Sequence, residues 1–193
     1  MTGRIGYTIL VCGVSGVGKT KLLNEVPRFL PSVAVWRASE IIGAARNILD
    51  PEVLRTLPTE EILQSQSLLV QGFEVQRREF PGLLVLLDAH SVIDSDSGFI
   101  EIPVDVAARF APSGILHVSD DPPRILERRI ADTRRIRPTR TVDQLREYQR
   151  RSVEVCEGYR DALKVPLIEV RSGNIDGFIN AIQSVVTMPP RTG

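Results

Sequence analysis

The residues best suited to chemistry lie near the start of the chain. Gly13-Val14-Ser15-Gly16-Val17-Gly18-Lys19-Thr20 fits the pattern G-x-x-x-x-G-K-[ST]. Glycines at that spacing let backbone N–H groups converge on phosphate oxygens without side-chain clashes. A helix beginning at the end of the run would aim its positive pole at the same anion. Lys19 is placed to reach the β- and γ-phosphates of a nucleoside triphosphate, and the Thr20 hydroxyl to ligate Mg²⁺. A chance Gly-rich turn would lack the flanks seen here, where residues 7–12 read as a buried strand and 19–26 as a helix.

A second acidic element follows. Residues 83–87 are an apolar run that ends in Asp88, the shape of a Walker B strand whose carboxylate faces a metal or its waters. A strand-terminal Asp that caps a turn is the plainer alternative, and the upstream phosphate motif favours the metal. His90 and Ser91, in the next turn, are candidates for substrate contact; a histidine that merely holds a loop is equally consistent with the residues. A phosphate acceptor is ionised at neutral pH, so no general base is demanded.

Arginine is the third signal. The chain has 21 Arg and three Lys, and residues 124–151 hold ten arginines against Glu127, Asp132, Asp143 and Glu147. Pro138 breaks any helix through the middle of this stretch. An Arg-rich loop between two helices suits a lid that clamps equatorial oxygens and expels water. Arg128, Arg134 and Arg137 are the expected functional members; Arg146, Arg150 and Arg151 read as a solvated helical face. Arg55, one turn beyond Asp50-Pro51-Glu52, is the candidate for an acceptor phosphate, with a surface arginine as its alternative.

These residues need a scaffold. Apolar runs at 7–12, 33–36, 83–87, 115–118 and 166–170 have the length of strands buried on both faces. Helical periodicity fills 19–26, 59–80, 104–110, 122–133, 142–163 and 175–186, with Asp121 as a good N-cap and Pro122 at the first helical position. Strands alternating with helices predict an α/β fold, a parallel sheet covered on both faces with its ligand at the strands' carboxyl ends. Residues 189–193 read as a flexible tail.

Bulk composition narrows the class. With 193 residues, 42% hydrophobic and 25% charged, the chain suits one globular domain. Zero formal charge implies no pull toward nucleic acid or membrane, and 5% aromatic content gives little support for base stacking. Cys12 and Cys156 make no disulfide scaffold, and Cys12 reads as a buried apolar filler. No apolar run is long enough to cross a bilayer and residues 1–12 carry no leader pattern, so a cytoplasmic protein is expected.

Four blocks together resemble the adenylate kinases, most closely the archaeal-type branch: GVSGVGKT at 13–20, LLDAHSVI at 86–93, GFIEIP at 98–103 and ILERRIADTRRIR at 125–137. The resemblance implies a three-layer P-loop kinase fold with a five-stranded parallel sheet flanked by helices. One domain would span 1–188, with an acceptor-binding insertion at about 37–80 and a short lid at about 131–141. It implies transfer from Mg-ATP to a nucleoside monophosphate, AMP first, giving two ADP. Gly13, Val14, Ser15, Gly16, Val17, Gly18, Lys19 and Thr20 would bind ATP. Thr20 and Asp88 would serve Mg²⁺. Lys19, Asp88, Arg128, Arg134 and Arg137 would be catalytic, and Arg55, His90 and Ser91 would bind the acceptor. An oligomer is compatible with the family. Two other readings stand beside it: a small-molecule kinase with an alcohol acceptor, for which Asp88 or His90 would serve as base, and a regulatory or assembly ATPase whose basic segment is a protein or RNA interface.

Overall fold

In the computed structural model, which describes residues 6–48, 56–133, 135 and 137–187, all five apolar runs are strands. The strands in chain order are β1 (Thr8–Cys12), β2 (Val33–Arg37), β3 (Leu84–Asp88), β4 (Val92–Ser95), β5 (Gly98–Glu101), β6 (Gly114–Ser119) and β7 (Leu167–Arg171). The helices are α1 (Lys19–Phe29), α2 (Ala38–Arg46), α3 (Thr59–Glu79), α4 (Val104–Ala108), α5 (Pro122–Ala131), α6 (Val142–Leu163) and α7 (Ile175–Thr187).

Five strands form one parallel sheet in the order β2-β3-β1-β6-β7. Every residue of the central strand β1 is buried, because helices cover both of its faces. Ile9 and Val11 point to a core filled by Leu22 and Val26 of α1 and Phe178 and Ile182 of α7. Leu10 and Cys12 point the other way, to Leu69 and Phe73 of α3 and Phe110. The period of two in the strand sorts its side chains between the layers. Each such large apolar side chain contributes about 2 kcal/mol relative to an exposed one. The long helix α6 serves both cores, with Leu145 and Tyr148 in one and Cys156 in the other. Its start is fixed by a capping box: Gln144 N–H donates to Thr141 Oγ1 at 3.2 Å and Thr141 N–H to Gln144 Oε1 at 2.9 Å.

The path of the chain opens a crevice between β1 and β3. After β1 it crosses to β2 at one edge; after β3 it passes to β6 on the far side of β1. Such a reversal leaves the carboxyl ends of the two strands uncovered.

Two elements carry no clear sequence signal, and one expectation needs correction. Residues 38–46 form α2; Gly43 interrupts its helical pattern, while Asn47 in the left-handed region ends it. Residues 92–101 form an antiparallel hairpin, β4 with β5, joined by Asp96-Ser97. The buried Asp94 hides the apolar alternation that would have signalled a strand. Asp121 does occupy the N-cap position of α5, but its carboxylate caps nothing. Pro122 and Pro123 supply no N–H at the first two helical positions, and Asp121 Oδ1 instead accepts from Arg171 Nη2 at 2.8 Å.

Candidate active site

Strand register sets the site. Val11 pairs with Asp88, Asp88 with Arg37, and Cys12 with His117, so the ends of β2, β3, β1 and β6 present their next residues along one rim. The chain leaves β1 at Gly13, turns through the glycine run and enters α1 at Lys19. Two glycines are required by what surrounds them. A Cβ on Gly13, at φ +142°, would stand 2.5 Å from the Val118 carbonyl, and one on Gly16, at φ +86°, would stand 2.6 Å from Arg129 Cγ. No side chain caps α1 and its first turn holds no acid, so its amide pole is open to an anion.

Lys19 is 6% exposed. Its Nζ donates to the Gly13 carbonyl at 2.7 Å and lies 3.8 Å from Asp88 Oδ1. Burial pushes the Lys19 ammonium down and the Asp88 carboxyl up, and each is the strongest charge opposing the other's shift. The pair is therefore held by geometry against the cost of desolvation, and a second anion near Lys19 would relieve it. His90 Nδ1 sits 3.1 Å from the same Gly13 carbonyl. A carbonyl only accepts, so Nδ1 carries the ring proton and Nε2 is left as an acceptor. The ring is exposed on the crevice rim; the protein packed around it, and then the Lys19 charge, lower its pKa, and it is neutral at physiological pH.

One crevice of about 720 Å³ joins this rim to the space between α2, α3 and α4. At its polar end stand Ser15, Thr20, His90 and Arg135; Arg37, Asn24 and Glu40 flank it; Ile42, Ile62, Leu69 and Phe110 line the apolar end. Arg37 is tied to Asn24 Oδ1 at 2.7 Å and Glu40 Oε1 at 3.2 Å, and its charge, after that of Lys19, lowers the Asp88 pKa.

The structure sorts the expected arginines. Arg137 reaches the glycine loop: Nε donates to Ser15 Oγ at 3.1 Å and Nη2 to Asp132 Oδ2 at 2.8 Å. Arg128 touches the loop at Val17 and, like Arg137, does not line the crevice. Its Nη1 donates to the Val17 carbonyl and Ser172 Oγ, both at 3.0 Å, and its Nη2 is bonded to Asp120. Arg55 and Arg134 lie outside the described residues. Ser91 does not face an acceptor. It is 1% exposed, and its Oγ bonds Ser152 Oγ at 2.9 Å and the Ser152 carbonyl at 3.1 Å, while Ser152 Oγ meets His117 Nε2 at 3.0 Å. That places Ser91 in a buried clasp between the end of β3 and α6, because the turn after Asp88 sends alternate side chains to opposite sides.

Sequence reasoning missed four participants. Arg37 was legible as a cation ending a strand. Arg135 was one arginine among ten, and its charge lowers the pKa of both Lys19 and Asp88. Arg129 packs on Gly16 and donates to Asp94 Oδ2 at 2.7 Å. Tyr148 accepts the Ser15 N–H at 3.4 Å and donates to the Val92 carbonyl at 3.1 Å. Neither Arg129 nor Tyr148 carried a local signal, since their partners lie 35 and 133 residues away.

A parallel sheet with this glycine loop at the end of β1 defines a P-loop kinase fold. A family model described as an AAA domain matches residues 12–146, and the chain belongs to that family. It is similar to the adenylate kinase of Methanopyrus kandleri, with 24% identity over 188 residues that span 94% of this chain and 97% of that protein. It is also similar to the adenylate kinase of Sulfurisphaera tokodaii, with 29% identity over 139 residues, 66% of this chain and 71% of that one. The kinship read from the four sequence blocks is borne out. Among solved structures, the shikimate kinase from Acinetobacter baumannii in complex with shikimate shares the fold, with a TM-score of 0.58, 13% identity and coverage of 95% and 94%. Among the described residues no helix is long and apolar enough to cross a membrane.

Proposed function

We propose that this protein transfers the γ-phosphoryl group of ATP to a nucleoside monophosphate, AMP first: ATP + AMP gives two ADP. The observation that carries this reading is the single crevice running from the glycine loop to an apolar slot under α2 and α3. Its volume of about 720 Å³ falls in the range of small-molecule pockets. An anionic head at the rim and an aromatic base in the slot match its two ends. The adenylate kinases among its relatives add support.

In this reading the loop amides and Lys19 hold the β- and γ-phosphates. An acceptor phosphate oxygen attacks Pγ, the bond from Pγ to the β–γ bridging oxygen breaks, and the electron pair leaves with ADP. Arg137 and Arg129, beside the loop, stabilise charge on the moving group, and Arg37 and Arg135 hold the acceptor phosphate. Thr20 and Asp88 would hold Mg²⁺. One hydroxyl and one carboxylate suit an ion that takes its remaining ligands from phosphate and water, and among the described residues no cluster of three or more His, Cys, Asp or Glu forms a closed metal cage. When bound, Mg²⁺ neutralises charge on the β- and γ-oxygens.

An alcohol acceptor would need a base, and neither candidate is free for it. His90 has its pKa lowered, by desolvation and then by the Lys19 charge, and Asp88 is committed in this reading to Mg²⁺. A phosphate acceptor needs neither. The test is to supply Mg-ATP with each nucleoside monophosphate in turn, with a panel of sugars and hydroxy acids, and with no acceptor. ADP formed in excess only with a monophosphate, AMP above the others, is the expected result. Phosphorylation of an alcohol, or ATP turnover indifferent to every acceptor, overturns it.

A further inference from the structure

Asp94 is 2% exposed on its side chain, on β4, in the hairpin between the Asp88 strand and α4. Both of its oxygens are committed to arginine. Oδ2 accepts from Arg129 Nη2 at 2.7 Å, and Oδ1 accepts from Arg140 Nε at 3.0 Å and Nη2 at 2.8 Å. Arg129 stands before the connection between α5 and α6, and Arg140 stands at its end. The same guanidinium of Arg129 also donates to the Pro138 carbonyl at 3.0 Å, and that of Arg140 to the Ser95 carbonyl at 3.1 Å. The hairpin meets the glycine loop as well. Arg140 lies over the Phe99 ring at 5.1 Å, Phe99 stacks on Tyr148 at 4.8 Å, and Tyr148 accepts the Ser15 N–H.

Two donors near the loop remain. Nη1 of Arg129 and Nη1 of Arg137 are buried and have no hydrogen-bond partner among the described residues. Buried guanidinium N–H groups are costly to leave unbonded, so a group with acceptor oxygens belongs beside them. Arg129 packs on Gly16, and Arg137 is bonded to Ser15, which brings both beside the proposed phosphate site.

We infer that Asp94 is a positioning residue: one buried carboxylate braces both flanks of the α5–α6 connection, so that Arg129 and Arg137 stand at the glycine loop before nucleotide arrives. Binding then meets donors already oriented, and the enzyme gains in turnover more than in acceptor affinity. The kinetic part of this inference rests on the proposed phosphoryl transfer; the bracing itself does not.

The test uses the full-length protein with Asp94→Asn, Arg140→Gln and the double variant. Without nucleotide, trypsin should cut the Arg140–Thr141 bond of Asp94→Asn about tenfold faster than in the wild type, because freed Arg140 can enter the protease. With Mg-ATP and AMP, kcat should fall about tenfold to a hundredfold while the acceptor KM stays within about threefold. ATP hydrolysis without acceptor, relative to transfer, should rise about tenfold as water gains access. The double variant should be no worse than Asp94→Asn, since both substitutions release one unit. Cleavage at the wild-type rate, additive losses in the double variant, or a wild-type kcat in folded Asp94→Asn each overturn the brace. Should Asp94→Asn fail to fold, Arg140→Gln decides by its hydrolysis-to-transfer ratio: a rise of about threefold or more supports the brace, and an unchanged ratio overturns it. Absence of transfer to any monophosphate would sink the functional reading and leave the trypsin result to judge the brace.

Discussion

The glycine loop and the hairpin brace do related work by opposite means. The loop is eight consecutive residues, and its one buried lysine folds back onto the Gly13 carbonyl at the loop's own start. The brace joins Asp94 to Arg129 and Arg140, 35 and 46 residues away. Backbone donors can be arranged by local geometry, whereas guanidinium groups on long side chains need a second partner to fix them. A phosphate grip can therefore be written as a short motif, while orientation of the arginines around it has to be supplied by tertiary contacts.

The largest effect expected is at the loop. Lys19→Ala should lower transfer by at least about a thousandfold, with little change in thermal midpoint, because Asp88 can protonate once its partner is gone. Steady-state rates with parallel melting curves check this, and retained activity would move the phosphate site elsewhere. Next comes the contrast between two arginines. Arg137→Lys should cut kcat about a hundredfold, since an ammonium cannot span Ser15 and Asp132, while Arg128→Lys should change kcat by no more than about threefold. The reverse order would put the transition-state contact on the Val17 side of the loop.

A smaller effect separates the site from its support. Burial lowers the His117 pKa to about 4, from an ordinary 6.5. Between those values the unfolded chain holds more protons than the folded one, so stability is full above pH 6.5 and is lost as pH falls toward 4. The slope is about 1.4 kcal/mol per pH unit for one such group. Urea midpoints from pH 7 to 4.5 should show that His117→Asn flattens the slope by one proton's worth. The smallest change is expected for Ser91→Ala. Losing one hydroxyl of the buried clasp should cost about 1 kcal/mol of stability and leave kcat within about twofold. A large loss of turnover would return Ser91 to the substrate.

How much could be read beforehand varies by residue, for physical reasons. The five sheet strands were legible because burial on both faces makes them continuous apolar runs. Helices α1, α6 and α7 were legible because their apolar residues recur with the helical period next to clear starts or stops. The hairpin was not, since Asp94 sits where an apolar residue would complete the pattern, and its carboxylate is tolerated only because two arginines arrive from far along the chain. Asp88 and His90 were legible as neighbours of a strand end, but Ser91 was misplaced, because position in a turn does not tell which way a side chain faces.

The sequence by itself determined the glycine loop, the order of the sheet-forming segments and the surplus of arginine after residue 124. These follow from local sterics, from periodicity and from composition, which act over a few residues at a time. Only the tertiary structure decided which arginines meet the loop, that Arg37 pairs with Asp88 on the neighbouring strand and that one buried carboxylate serves Arg129 and Arg140. Those outcomes depend on strand register and on side chains meeting across 35 residues or more, and no short-range rule carries that information.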